Sequence, residues 1–208
     1  MSANEIKHAG INLGGADPLL HENAGALVFG FWVFLMSDAV IFALLFATYG
    51  VMASRTAGGP TAHDVYDIGS AFIETVILLI SSFTFGMASL AMKYQHLQHR
   101  LQLWLAVTLG LGLAFVGMEF HDFFKMFARR EVPERSGFLS SFFVLVPTHM
   151  LHVSVGCLWI VVMMAQLRRY GLDARNKINV LRLGLFWHFL DIVWVGIFTV
   201  VYLHGLTA

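Results

Sequence analysis

Five stretches of this chain, at about residues 26–53, 68–93, 101–127, 138–168 and 177–205, are apolar over more than the roughly 20 residues that a bilayer core requires. In lipid every backbone N–H and C=O must be paired inside the protein, and a long apolar run meets that demand as a transmembrane α-helix. The expected fold is therefore all-α, a polytopic membrane protein with a bundle of five transmembrane helices. One five-helix domain is expected over residues 26–208, behind a polar tail at residues 1–25. Only 12% of the residues are charged, about half the share of a soluble domain. The breaks between runs hold turn-forming or polar residues: Gly58-Gly59-Pro60, Gln95 to Arg100, Pro133, and Asp173 to Lys177. The first 25 residues lack the apolar stretch of a cleavable signal peptide.

With five spans the termini lie on opposite sides, and basic residues choose between the two orientations. The amino-terminal side collects Lys7, Lys93, Arg100, Arg168, Arg169, Arg175, Lys177 and Arg182, against Arg55, Lys125, Arg129, Arg130 and Arg135 on the other. The excess predicts the amino terminus on the inner side and the carboxyl terminus on the outer side of the membrane. Lys and Arg balance Asp and Glu at 13 each, with no basic cluster interleaved with aromatics, so no nucleic-acid partner is expected. The single cysteine, Cys157, lies in an apolar run and has no second thiol for a disulfide or a cysteine-based metal site.

Against this background the ionisable residues inside the spans stand out, because each costs at least about 2.5–3.5 kcal/mol at the bilayer centre. Asp38, His149, His152, His188 and Asp191 fall near mid-membrane, while Glu74, Glu119 and Asp122 fall in the outer half, where water can partly hydrate them. His188 and Asp191, within Phe186-Trp187-His188-Phe189-Leu190-Asp191-Ile192-Val193-Trp194, are three apart and share one helical face. The five central residues have two readings, a buried hydrogen-bonded network that fixes helix register or a proton path or metal site. Bis-histidine haem ligation, with His149 or His152 opposite His188, is disfavoured. His188 has Asp191 one turn away, and the other two histidines have each other. No catalytic, cofactor-binding or metal-binding residue is assigned. Small residues recur at Ala39, Ala43 and Ala47, at Ser82 and Gly86, and at Gly110, Ala114 and Gly117, the spacing that close helix packing uses.

Several separated motifs occur in an order that resembles a known family. The Phe186 to Trp194 segment, together with Ser136-Gly137-Phe138-Leu139-Ser140-Ser141-Phe142-Phe143 leading to Thr148-His149-Met150-Leu151-His152-Val153, looks like subunit III of the haem–copper respiratory oxidases. Gly30-Phe31-Trp32-Val33-Phe34-Leu35-Met36-Ser37-Asp38 and Thr56-Ala57-Gly58-Gly59-Pro60-Thr61 are most similar to the bacterial cytochrome o (bo-type) ubiquinol oxidase branch. The resemblance spans about residues 26–205. It departs from the family pattern at Pro147 and Met150, where glycine is usual, and it matches only the last five helices of the seven-helix long form.

That resemblance implies an accessory subunit without a redox centre, in a complex that oxidises ubiquinol, reduces oxygen to water and pumps protons. Haem and copper would belong to the partner subunit I, and the other partners would be subunit II and a small subunit IV. This chain would support subunit I, bind phospholipid and sustain proton uptake. The electron donor stays open between ubiquinol, menaquinol and cytochrome c, since its determinants lie in partner chains. From another class, a small proton-coupled transporter would place Asp38, His188 and Asp191 on an ion path, but the internal repeat and Gly/Pro-interrupted spans common in such proteins are missing.

Overall fold

The computed structural model describes residues 18–56, 68–92, 98–129, 133 and 136–203. Five long α-helices make up the fold: α1 (Pro18–Met52), α2 (Ile68–Leu90), α3 (Gln98–Ala128), α4 (Gly137–Tyr170) and α5 (Ala174–Ile197). A π-helical turn, Phe198–Leu203, carries α5 onward. All five are long and apolar enough to cross a bilayer, as their apolar runs demand. α1 opens at Pro18, upstream of the apolar run. Proline suits the first helical position because its missing N–H has no partner there in any case. Gly58 to Thr61, Gln95 and the carboxyl end beyond Leu203 lie outside the described residues.

Local chemistry sets the ends of α4. The Ser136 side chain caps its start by accepting from the Leu139 N–H at 3.1 Å. Gly171 closes it with φ +73°, a left-handed conformation that glycine adopts without a Cβ clash, and its N–H bonds the Leu167 carbonyl. Arg168 and Arg169 lie in the last turn, where positive charge complements the helix dipole. Pro147 inside α4 has no N–H to give to the carbonyl of Phe143.

Cross-helix contacts give the directions and the register. Phe31 meets Trp159, His152 meets Asp38, and Phe138 meets Tyr49, so α1 and α4 run antiparallel. Trp187 bonds Ser81 and Trp194 bonds Thr75, which makes α2 and α5 antiparallel as well. Successive helices alternate in direction and α5 ends on the side opposite the start of α1. α5 is the central member, touching α1, α2 and α4. Half of its most apolar window is buried, against 17% for α1, which keeps most of its surface outward.

Close approach centres on large aromatic side chains. Gly112 of α3 and Gly156 of α4 face the Trp187 indole, and a Cβ built at Gly112 would lie 2.7 Å from that ring and 2.9 Å from Cys157 Sγ. Gly184 stands against Phe85 in the same way, and Gly196 against Phe46. This corrects the small-residue expectation, because Gly86, Gly110 and Gly117 have open space where a Cβ would be, and Ala43 and Ala47 face outward. Spacing identifies a face of small residues, but whether an indole fills the space beside it depends on the opposite helix.

Candidate functional site

The five ionisable residues expected near mid-membrane fall into three separate groups around α5 and α4. The first joins α1 to α4. His152 Nδ1 lies 2.7 Å from the Thr148 carbonyl. A carbonyl oxygen only accepts, so Nδ1 carries the proton and Nε2 holds the lone pair in the neutral ring. That Nε2 points across to Asp38 Oδ2 at 4.0 Å. Both side chains line a cavity of about 370 Å³ between the two helices.

His149 forms the second group, one turn away in sequence but turned into the core, where it is fully buried. Its Nε2–H donates to the Leu190 carbonyl of α5 at 3.2 Å, and its Nδ1 has no hydrogen-bond partner among the described residues. The ring packs against Trp194 at 5.2 Å, Phe115 at 5.8 Å and Phe42 at 6.4 Å between centroids. These contacts position an apolar-packed imidazole that ties α4 to the backbone of α5.

The third group lies between α2 and α5. The Ser82 hydroxyl and His188 Nδ1 are 2.6 Å apart, and the Asp191 carboxyl stands 3.9 Å from the same nitrogen. Asp191 is buried and neither of its oxygens receives a hydrogen bond from the described residues. His188, by contrast, has a side chain 46% exposed on the outer surface of the bundle. The one-turn spacing predicted the neighbourhood of His188 and Asp191; the serine that holds the imidazole comes from another helix.

The outer-half acids behave differently from one another. Glu74 of α2 and Glu119 of α3 are 1% and 3% exposed, so the bundle encloses both. Their carboxyls interact with each other, and the phenol of Tyr202, on the π-helical turn, lies in their electrostatic field. Asp122 lies at the surface in an ion pair with Lys125 at 3.0 Å. Among the described residues no group of three or more His, Cys, Asp or Glu side chains is placed to hold a metal ion.

Polar side chains without charge also link the helices, and the ionisable residues drew attention away from them. Trp187 Nε1 donates to Ser81 Oγ and Trp194 Nε1 to Thr75 Oγ1, both at 3.0 Å, and the Thr84 and Thr108 hydroxyls pair at 2.8 Å between α2 and α3. The available signal was the seven-residue spacing of Trp187 and Trp194 on α5 against the six-residue spacing of Ser81 and Thr75 on α2. Seven residues put the two tryptophans on one helical face, but six leave Ser81 and Thr75 about 120° apart around α2, and neither spacing tells which two helices are neighbours.

Comparison with known proteins gives this architecture a context. The family model described as cytochrome c oxidase subunit III matches residues 20–206. The chain is 50% identical over 185 residues to the cytochrome bo(3) ubiquinol oxidase subunit 3 of Pseudomonas aeruginosa, covering 89% of this chain and 88% of that protein. It is 41% identical over 179 residues to the quinol oxidase subunit 3 of Bacillus subtilis, with 86% and 87% covered. Similarity to the cytochrome c oxidase subunit 3 of Bacillus sp. PS3 is equal, 41% over 177 residues with 85% of each chain covered.

Proposed function

This chain belongs to the cytochrome c oxidase subunit III family, and we propose that it is subunit 3 of a bacterial cytochrome bo(3)-type ubiquinol oxidase. The observation that carries this reading is the 50% identity to such a subunit, over 89% of the chain. The complex oxidises ubiquinol, reduces oxygen to water and moves protons across the membrane. Within it this chain is an accessory subunit that supports subunit I. Haem and copper reside in subunit I, and subunit II and a small subunit IV complete the assembly. The equal likeness to quinol and cytochrome c oxidase subunits fits a subunit that does not choose the electron donor.

Residues 26–208 form the single membrane domain and residues 1–25 the cytoplasmic tail, in the inner membrane, with the carboxyl terminus periplasmic. The excess of Lys and Arg on the amino-terminal side supports that orientation. Asp38, His149, His152, His188 and Asp191 serve helix packing and the α1–α4 cavity rather than electron transfer. The outward apolar side chains, among them Phe29, Phe72, Phe83, Phe124, Leu151 and Ile192, meet phospholipid or neighbouring subunits.

Purification through a tag on this chain in mild detergent tests the assignment. Subunits I, II and IV should co-purify with a haem–copper spectrum and ubiquinol oxidation. Isolation of the chain alone from membranes that retain an intact oxidase overturns it.

A further inference from the structure

α1 and α2 both pack on α5 but hardly on each other, so a strip of α5 lies open between them. Phe189 and Gly196 meet α1 on one side of the strip, and Trp187 and Trp194 meet α2 on the other. The residues between, His188, Ile192 and Val195, are exposed and face the opening at the i, i+4, i+7 spacing of a helix seam. The walls are low. Gly86 follows Ser82 by one turn of α2 with open space where a Cβ would be, and Ala43, one turn before Phe46 on α1, is exposed. Small side chains of this kind let a further helix come close.

The floor of the strip is not apolar throughout. His188 stands one residue from the middle of the apolar span Arg175–Leu203, yet its side chain is 46% exposed. The Ser82 hydroxyl takes Nδ1 at 2.6 Å, Asp191 at 3.9 Å is too distant to bond that nitrogen, and no described residue bonds Nε2. This gap does not depend on where the protons sit. If Ser82 donates, the neutral ring carries its proton on Nε2; if Nδ1 donates, Nε2 holds a lone pair; the imidazolium carries a proton on both. Every form leaves Nε2 one hydrogen bond short, at a depth where acyl chains supply neither donor nor acceptor.

We propose that this strip, with α1 and α2 as its walls, seats one transmembrane helix of a neighbouring oxidase subunit, and that a hydroxyl or amide side chain of that helix bonds His188 Nε2. Such a group both donates and accepts, so it completes the imidazole in any of its forms. Lipid tails fit Ile192 and Val195 equally well but leave the imidazole unmet, and phospholipid headgroups are held at the interface, half a span away. That the partner is an oxidase subunit rests on the reading of the chain as part of such a complex. The need for a polar helix rests on the His188 and Ser82 geometry alone.

The test uses the whole oxidase in lipid nanodiscs, with the photoreactive p-benzoylphenylalanine in place of Val195 and the adducts mapped by mass spectrometry. Light should join this chain to a transmembrane peptide of another subunit. Substitutions at His188 supply a second measurement that needs no bulky probe. His188→Asn keeps an amide near the place of Nδ1 and reaches no further, whereas His188→Gln puts one near the place of Nε2. In a detergent titration of the complex, His188→Asn and His188→Phe should release this chain about three- to fifteenfold more readily than the parent, the range of interhelical hydrogen bonds in membranes. His188→Gln should hold it as the parent does. Adducts only to phospholipid, to a quinone or to a second copy of this chain overturn the proposal. So do Asn and Gln variants that behave alike, or a Phe variant held as firmly as the parent, since lipid favours a phenyl ring over an imidazole. Co-purification of the other subunits with the parent chain, scored on the same preparation, separates failure of this surface from failure of the oxidase assignment.

Discussion

At the scale of single residues, neutral hydrogen bonds do much of the work that the ionisable residues suggested. Trp194 is buried, its N–H reaches Thr75 at 3.0 Å, and its ring stacks edge-on to Phe115 at 4.7 Å. Trp187 repeats the arrangement one heptad earlier, with Ser81 and two facing glycines. An indole N–H left unpaired between helices has no water to turn to, yet interhelical bonds in membranes average only about 0.6 kcal/mol and reach about 1.7. Thr75→Val and Ser81→Ala should therefore each cost about 1 kcal/mol, and Trp194→Phe should remove most of the penalty of Thr75→Val. Steric-trap or denaturant titration of the single and double variants measures this. Full additivity would show that the bond contributes nothing. That Asp38, His149, His152, His188 and Asp191 fall inside long apolar helices was legible in sequence, because the apolar runs that hold them are read directly from it. Their partition into three groups was not, because the partners Thr148, Leu190 and Ser82 are ordinary serine, threonine and backbone groups.

At the scale of helices, all five elements were legible because the bilayer sets a minimum length that no chance apolar run in this chain approaches elsewhere. Contacts between them were less so. A glycine is tight only where the opposite helix brings a ring, and Gly112 and Gly156 meet Trp187 from α3 and α4. Gly112→Ala drives a methyl to 2.7 Å from the indole and 2.9 Å from Cys157 Sγ, so it should destabilise by about 1–3 kcal/mol through overpacking. Gly86→Ala, Gly110→Ala and Gly117→Ala add a methyl to open space and should be neutral or stabilising by up to about 1 kcal/mol, the helix-propensity gain over glycine. Thermal aggregation of the four variants in one detergent ranks them. A Gly117→Ala loss as large as that of Gly112→Ala would mean that a neighbouring subunit, rather than this bundle, fills the space beside α3.

For the whole molecule the asymmetry of burial agrees with the role proposed from the family. α5 is held inside the bundle while α1 turns most of its surface outward, with Phe29, Trp32, Phe34, Val40 and Leu44 all exposed. A helix that apolar on its outer side is stable in lipid and equally suited to a partner helix, so loss of the chain strips a neighbour of cover rather than of chemistry. An oxidase lacking this subunit should keep its haem spectrum and appreciable initial quinol oxidation if, as proposed, electrons travel through subunit I. It should then lose activity several-fold faster during sustained turnover, as the uncovered neighbour loses ordered lipid and supported proton uptake. The inference from family to role is an analogy of mechanism, and kinetics separate it from its alternatives. Oxygen consumption followed through prolonged turnover, with and without the chain, gives matched initial rates and diverging decay if the subunit is accessory. Immediate loss of all activity with the haems in place would put this chain on the path of protons or electrons. Equal decay in the two preparations would leave it no part in sustaining turnover.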